Sequence, residues 1–205
     1  MSALLPTGEA LVGPTVRLEP LTEADLPDLF PLLADPEVYA SGYVMHRRPE
    51  TVDDAVALAR ERFLPTAPPD GRGGGRTAYA IRLVDDGTLV GTSALLEAHL
   101  VNESIHLGST LYGRRWWGTR VNPEAKLLLL AHCFDDCGYG RVKIQTDALN
   151  TRSQAAIARL GARREGVLRR DQRREDGTFR DTVIFSVLVD EWLAVQAGLL
   201  TRLEE

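Results

Sequence analysis

The amino-acid sequence predicts a mixed α/β fold in which helices cover the faces of a sheet. Three observations lead there. Short runs with a two-residue apolar period alternate with runs of helical period. Two pairs of strand-like runs flank turn signals, Asp85-Asp86-Gly87 and Glu175-Asp176-Gly177, which read as hairpins. Helix boundaries carry their own markers: Thr22, Thr51 and Asn122-Pro123 in front, Gly138 and Gly161 behind.

The elements follow in order. Residues 1–13 read as a loose N-terminal arm, and 14–205 as a single domain. Thr15–Leu21 alternates as a strand, with Val16 and Leu18 on one face. Thr22-Glu-Ala-Asp25 is a capping box, after which Leu26, Leu29, Phe30 and Leu33 form one helix face. Asp35-Pro36 starts another short turn or helix, and Tyr39–Pro49 lacks periodicity and reads as a loop. Thr51 caps a helix to about Phe63, with Val52, Val56, Ala59 and Phe63 inward. Pro65–Gly75 holds three prolines and four glycines and excludes regular structure. It reads as a surface loop, because the strands before it are too few for a separate core. Three strands are expected next, at Thr77–Val84, Thr88–Leu96 and Glu103–Tyr112. A helix Pro123–Asp136, a strand Arg141–Thr146 and a helix Asn150–Leu160 come after them. The hairpin Gly166–Arg173 with Phe179–Leu188 precedes a last helix at about Asp190–Leu203, which carries Trp192, Val195 and Leu199. No internal repeat is visible.

Composition bounds the function. A chain of 205 residues buries a substantial core. Its net charge of −5 argues against nucleic-acid and anionic-membrane partners. No run approaches the ~20 apolar residues of a membrane span, and the N-terminus lacks the regions of a signal peptide. Cys133 and Cys137 stand one helical turn apart, where a bridge constrains almost nothing. They read as packed thiols in a reducing cytoplasm. His46, His99 and His132 have no metal-site spacing, so no metal is expected.

The most informative stretch runs from Ile105 to Leu130. Ile105, Leu107, Ser109 and Leu111 alternate with His106, Gly108, Thr110 and Tyr112 as a strand. A basic turn with Gly113 and Gly118 follows, then the helix start at Asn122-Pro123-Glu124. Free amides at a helix N-terminus, preceded by Arg114, Arg115 and Arg120, make an anion site, most often for phosphate. Glu124 and Lys126 read as helix-surface residues.

Three motifs in this order resemble the GCN5-related N-acetyltransferases (GNAT), and most nearly the branch of the ribosomal-protein N-terminal acetyltransferases. The first ends Arg115-Trp-Trp-Gly118-Thr-Arg120-Val-Asn-Pro-Glu-Ala-Lys126. The second is Asp147-Ala-Leu-Asn150-Thr-Arg-Ser153, closing in Arg159-Leu-Gly-Ala162. The third joins Glu165-Gly-Val-Leu-Arg169 to Asp176-Gly-Thr-Phe-Arg180-Asp-Thr-Val-Ile-Phe-Ser186. The resemblance spans about Thr15–Trp192. At the family's cofactor turn Arg115 and Gly118 match, whereas Arg120 replaces a small residue and offers a side-chain contact to phosphate instead.

The resemblance implies a GNAT fold: a central, mostly antiparallel sheet splayed as a V between Glu103–Tyr112 and Arg141–Thr146. It implies acetyl-CoA as donor. Its pantetheine arm would lie in the V and bond the strand edge at Ser109 and Leu111. The diphosphate would be held by amides of Trp117, Gly118, Thr119, Arg120, Val121 and Asn122, with Arg114 and Arg115 alongside. Asn150 would bond the arm, and Ser153 would lie near the thiol. Homodimers are frequent among relatives.

An amine attacking a thioester must be neutral, the oxyanion must be stabilised and the thiolate must leave. His106 stands where the resembling branch often has a carboxylate, and an imidazole of pKa ~6.5 suits a base there. Glu97 and Glu103 are alternative bases. An amide on the Gly108–Leu111 edge would donate to the oxyanion, with Gly108 as the bulge that aims it. The tyrosine acid found in many relatives has no counterpart near Ile157-Ala158-Arg159, which leaves Ser153 as the substitute. The expected function is acyl transfer, acetyl by default, to a primary amine of a peptide N-terminus or small molecule. The acceptor would bind between Tyr39–Arg48, Glu97–Asn102 and the terminal hairpin near Arg169–Arg173 and Phe179, where arginines suit an acidic peptide. Two alternatives stay open: an acyl-carrier protein as donor, docked on Arg114, Arg115 and Arg120, and a non-catalytic CoA-binding sensor.

Overall fold

The computed structural model describes residues 3–40, 44–67 and 73–204. Tyr43 and the middle of the Pro65–Gly75 loop lie outside the described residues.

Eight strands form one sheet in the order β1-β2-β3-β4-β5-β6-β8-β7. They are β1 (Leu11–Val12), β2 (Val16–Pro20), β3 (Gly73–Leu83), β4 (Leu89–His99), β5 (Ser104–Tyr112), β6 (Arg141–Asp147), β7 (Arg163–Arg173) and β8 (Phe179–Leu188). Every neighbouring pair is antiparallel except β5–β6, which is parallel. The helices are α1 (Phe30–Leu33), α2 (Pro36–Ala40), α3 (Val52–Arg62), α4 (Val121–Ala131), α5 (Thr151–Arg159) and α6 (Trp192–Glu204).

Strand alternation puts a core on each face of the sheet. Leu18, Tyr79, Ile81, Ile105, Leu107 and Val142 pack with Val121, Ala125 and Leu129 of α4, Ile157 of α5 and Trp192, Val195 and Leu199 of α6. On the other face, Ala78, Ala80 and Ala94 receive Leu26, Leu29, Leu32 and Leu33 with Ala55 and Ala59 of α3. The three small strand residues let the short helices approach the sheet closely. Cys133 and Cys137 are buried free thiols, as expected. Burial pushes the Cys137 thiol up to about 11.

Several local expectations are corrected. The first helical segment is broken into two 3₁₀ turns, Glu23–Asp25 and Pro27–Leu29, before the one turn of α1, because Pro27 and Pro31 interrupt its hydrogen bonding. On α3 the buried residues are Ala55 and Ala59, and Val52 is exposed. Gly73–Gly75 belong to β3, pairing toward His99, with Gly74 and Gly75 at positive φ that only glycine adopts readily. The N-terminal segment is docked: Ala3 is buried, Leu4 N donates to Cys137 O at 2.9 Å, and β1 extends the sheet. Helix α4 begins at Val121 with Arg120 as its N-cap residue, two positions before the Asn122 cap and Pro123 start read from sequence, and it ends in a π turn, His132–Asp136. Among the described residues no helix is long and apolar enough to cross a membrane.

Candidate active site

The strands β5 and β6 pair only at Ser104–Arg141, Ile105–Val142 and His106–Lys143. Beyond His106 they part, which leaves the backbone of 107–112 and 144–147 without ladder partners across the gap. The opening holds a cavity of about 430 Å³ walled by Leu107–Leu111, Ile144–Asp147, Asn122 and Lys126 of α4, and Asn150 and Ser153 at the start of α5. A second cavity of about 230 Å³ continues between Trp116–Gly118 and α5. Leu111, Asn122, Asn150 and Ser153 line both.

The inner edge of β5 is bulged. Thr92 faces Leu111 and Ala94 faces Gly108, so β5 carries one extra residue across that step. Ser109 takes the strain, with φ of 46°. Gly108 therefore is not the bulge residue. Its lack of a side chain serves packing instead, since a Cβ there would meet His106 Nε2 at 2.7 Å. The extra residue also shifts the strand's faces. Tyr112 joins Ile105 and Leu107 in one core, and Leu111 packs against the other, which the unbroken two-residue period did not foresee.

Glu124 and Lys126 are buried, not surface residues. Glu124 Oε1 accepts from Thr15 N at 2.6 Å and Val16 N at 2.9 Å, anchoring the first turn of α4 to β2. Lys126 Nζ donates to Ser93 Oγ at 3.0 Å and Thr110 Oγ1 at 2.6 Å, joining α4 to β4 and to the bulge. Burial pushes its amine down to about 7. The sequence signal was available: Glu124 and Lys126 fall among buried Val121, Ala125 and Leu129, but charge alone had argued for solvent.

His106 is buried and does not line the cavity; its ring lies against Gly108, which does. Its Nδ1 is 3.6 Å from Glu97 Oε1, and neither ring nitrogen makes a hydrogen bond among the described residues. Burial lowers its pKa, partly opposed by Glu97, so the neutral imidazole is favoured. Glu97, held at φ of 51°, is exposed and bonds Lys143 Nζ at 2.6 Å. His106 and Lys143 hold its carboxyl down to about 2. Glu103 shares the strained conformation, at φ of 48°, and its carbonyl accepts from Gly140 N and Arg141 N, a turn-closing role.

In the basic turn, Gly118 adopts φ of 76° with open space where a Cβ would be. Trp117 Nε1 donates to Tyr112 O at 3.0 Å, and the Arg152 guanidinium lies 3.3 Å from the Trp117 ring centre. Both tryptophans thus wall the second cavity while also packing on the core. The arginines go elsewhere. Arg114 is 3.8 Å from Glu37, and Arg115 stacks on Trp116. Arg120 donates to Leu203 O at 3.1 Å and lies 3.8 Å from Glu124, so its side chain is engaged with α6 and α4. Thr119 Oγ1 donates to Trp116 O at 2.8 Å. Arg114, Arg115, Thr119, Arg120 and Val121 line neither of the two cavities.

Asn150 caps α5, its Oδ1 accepting from Ser153 N at 3.0 Å. Beside it the carboxylate of Asp147 pairs with Arg174, both buried, and ties the end of β6 to the terminal hairpin. The larger cavity is also lined by Val38, Tyr39, Met45, His46, Phe63 and Arg180. Glu175 accepts from Arg47 N at 2.8 Å and donates its own N–H to Met45 O, which joins the terminal hairpin to the loop of Met45 and Arg47. Of the expected acceptor elements, Tyr39, Val44, Met45 and His46 line the cavity, whereas no residue of Glu97–Asn102 or Arg169–Arg173 does. Arg170 instead stacks on Phe179. Glu9, His132 and Asp136 bring three ligand atoms within 4.8 Å of one another; His132 Nδ1 lies 3.0 Å from Asp136 Oδ2 and 3.7 Å from Glu9 Oε1, contacts that link the N-terminal segment to the end of α4.

A family model described as an acetyltransferase (GNAT) domain matches residues 15–163. Among solved structures, a putative acetyltransferase is 37% identical with a TM-score of 0.83, covering 98% of this chain and 96% of the other. A putative acetyltransferase from T. thermophilus is 36% identical with a TM-score of 0.83, covering 98% of this chain and all (100%) of the other. RimJ of Mycobacterium smegmatis, solved with CoA-disulfide, shares the fold at 20% identity and a TM-score of 0.74, covering 96% and 95%. A search of curated proteins found no match.

Proposed function

The chain belongs to the GNAT acetyltransferases, and from that membership we propose that it transfers an acetyl group from acetyl-CoA in the V to a primary amine entering from the Tyr39–His46 side. The observation that carries this reading is the early end of the β5–β6 ladder after His106–Lys143, above a cavity that runs through the sheet. Unpaired strand edges are a template for an added extended arm. Acetyl-CoA supplies the activated thioester, and the protein supplies position, charge and proton transfer.

Ser109 and Leu111 offer edge groups to the arm, and the bulge turns an unpaired amide toward the thioester oxygen. Asn150 and Ser153 stand beside the arm where both cavities meet. Where α4 opens, Trp117 N, Thr119 N and Val121 N already donate to Arg114 O, Trp116 O and Thr119 Oγ1, so the diphosphate falls to the amides of Gly118, Arg120 and Asn122, where the positive end of the helix dipole favours it. Gly118 at positive φ shapes that turn. His106, kept neutral by burial, takes the proton of the attacking amine, through water bridging past Gly108. The Ser153 hydroxyl lies on the thiolate side, and a thiol of pKa ~8.5 needs little further help to leave.

The acceptor is a peptide N-terminus or a small-molecule amine. The Val38, Tyr39, Met45 and Phe63 lining, with Arg62, Arg76 and Arg180, suits an apolar residue followed by an acidic group. The test is a screen with free-thiol detection that compares acidic and basic N-terminal peptides with small amines. Absence of amine-dependent thiol release from acetyl-CoA with every member of both classes would sink the reading.

A further inference from the structure

Lys126 enters the larger cavity from α4, and it is 5% exposed. Its two hydrogen-bond partners, Ser93 Oγ and Thr110 Oγ1, are neutral hydroxyls. A charged ammonium has three N–H donors, so one remains for a ligand. Among the described residues no carboxylate lies within ion-pair distance of Nζ. A buried cation without a counter-charge is costly, and proteins ordinarily pair it. The ionisable group acting on Lys126 is the Cys133 thiol, which burial holds well above its usual range and therefore uncharged. Leu107, Ile144, Ile157 and Leu160 give the same cavity an apolar part of its wall, beside polar Asn122 and Ser153, and its one lining carboxylate among the described residues, Asp147, is paired with Arg174. An acetyl methyl group gains nothing from an ammonium at that depth.

We propose that Lys126 selects an acyl donor whose acyl chain ends in a carboxylate, a succinyl-type thioester, by supplying the counter-charge beneath the bulge of β5. This rests on the V being the donor site. The chain's methylenes would pass the apolar wall, and its carboxylate would take the third donor of Nζ. Ser93 and Thr110 fix the amine from β4 and β5, so the position is preorganised, not borne on a mobile side chain.

Calorimetry tests this without knowing the acceptor. CoA, butyryl-CoA and succinyl-CoA are titrated into the whole protein at pH 8, in two buffers of different ionisation enthalpy. Butyryl-CoA controls for chain length. Succinyl-CoA is expected to bind at least about tenfold tighter than butyryl-CoA and to take up a proton, because the carboxylate restores the charged amine. In Lys126→Met both the preference and the proton uptake should vanish, and Lys126→Gln serves if the methionine variant does not fold. Equal affinity for the two thioesters in the wild-type protein overturns the proposal while leaving CoA binding intact. A preference that survives in both variants also overturns it. Failure of CoA and of both thioesters to bind rejects the donor site itself, and the proposal with it.

Discussion

The imidazole of His106 occupies the space that a side chain on Gly108 would fill: a Cβ there would stand 2.7 Å from Nε2 and 3.1 Å from Leu96 Cδ1. The two residues sit on one face of β5, across the strand from the core of α4. The glycine therefore sets where the histidine ring can be, and through it the distance from the ring to the cavity. Gly108→Ala should lower kcat about tenfold or more, the order expected when a base is displaced, while CoA affinity changes little. Steady-state kinetics beside calorimetry separates the two. A loss confined to CoA affinity would assign Gly108 to the donor arm instead.

The base itself has a pH signature. Burial disfavours the imidazolium of His106, so its folded pKa lies below the ordinary ~6.5. A base must be neutral, so kcat/KM should carry a limb below ~6.5, distinct from the limb that ionisation of the acceptor amine itself adds nearer ~8. His106→Ala should remove the lower limb and cost roughly a hundredfold in kcat. The same shift affects stability. Between the folded pKa and ~6.5 the unfolded chain binds more protons, so this contribution is full above ~6.5 and is lost as pH falls through the window. Parallel pH profiles for wild type and His106→Ala would return the residue to a packing role.

Gly118 tests the cofactor turn. Its φ of 76° is left-handed, and open space surrounds the missing Cβ, so the penalty of substitution is conformational, not steric. Gly118→Val should lower stability by about 1–2 kcal/mol and weaken CoA binding by more than that loss explains. Calorimetry on the folded variant reads the second effect. Undiminished CoA affinity would remove the diphosphate from this turn.

Arg174 and Asp147 make a buried pair at the end of β6, where that strand meets Asn150 and the terminal hairpin. Removing one partner strands the other charge, so Arg174→Met should destabilise the fold by about 3–5 kcal/mol. Denaturant unfolding measures it. A variant within ~1 kcal/mol of wild type would mean that Asp147 takes up a proton or reaches water instead.

Much of the fold was legible in the chain. Two-residue alternation, the Asp-Gly hairpins at 85–87 and 175–177, and the glycines after α4 and α5 are local signals, and each produced its element. Where reading failed, the cause was not local. Gly73–Gly75 are strand because β4 is long enough to pair with them, out to His99. Ser109 resembles any strand serine until β4 is laid beside it one residue short. The Asn-Pro-Glu start of α4 was displaced by two residues because Arg120 takes helical angles in front of it.

For the site, the sequence by itself named candidates: Ser109, Leu111, Trp117, Gly118, Asn122, Asn150 and Ser153 line the two cavities, His106 stands behind Gly108, and Arg114, Arg115, Thr119, Arg120 and Val121 line neither. The order of motifs also fixed the family. Tertiary structure decided what those groups face. Arg120 looked free for a phosphate or a carrier protein, yet it is engaged by Leu203 and Glu124, which lie 83 and 4 positions away. Lys126 looked solvated, yet the packing of α4 on the sheet buries it between Ser93 and Thr110. Charge and periodicity describe a residue's own segment, whereas burial depends on which segment arrives opposite, and here distant strands supplied it.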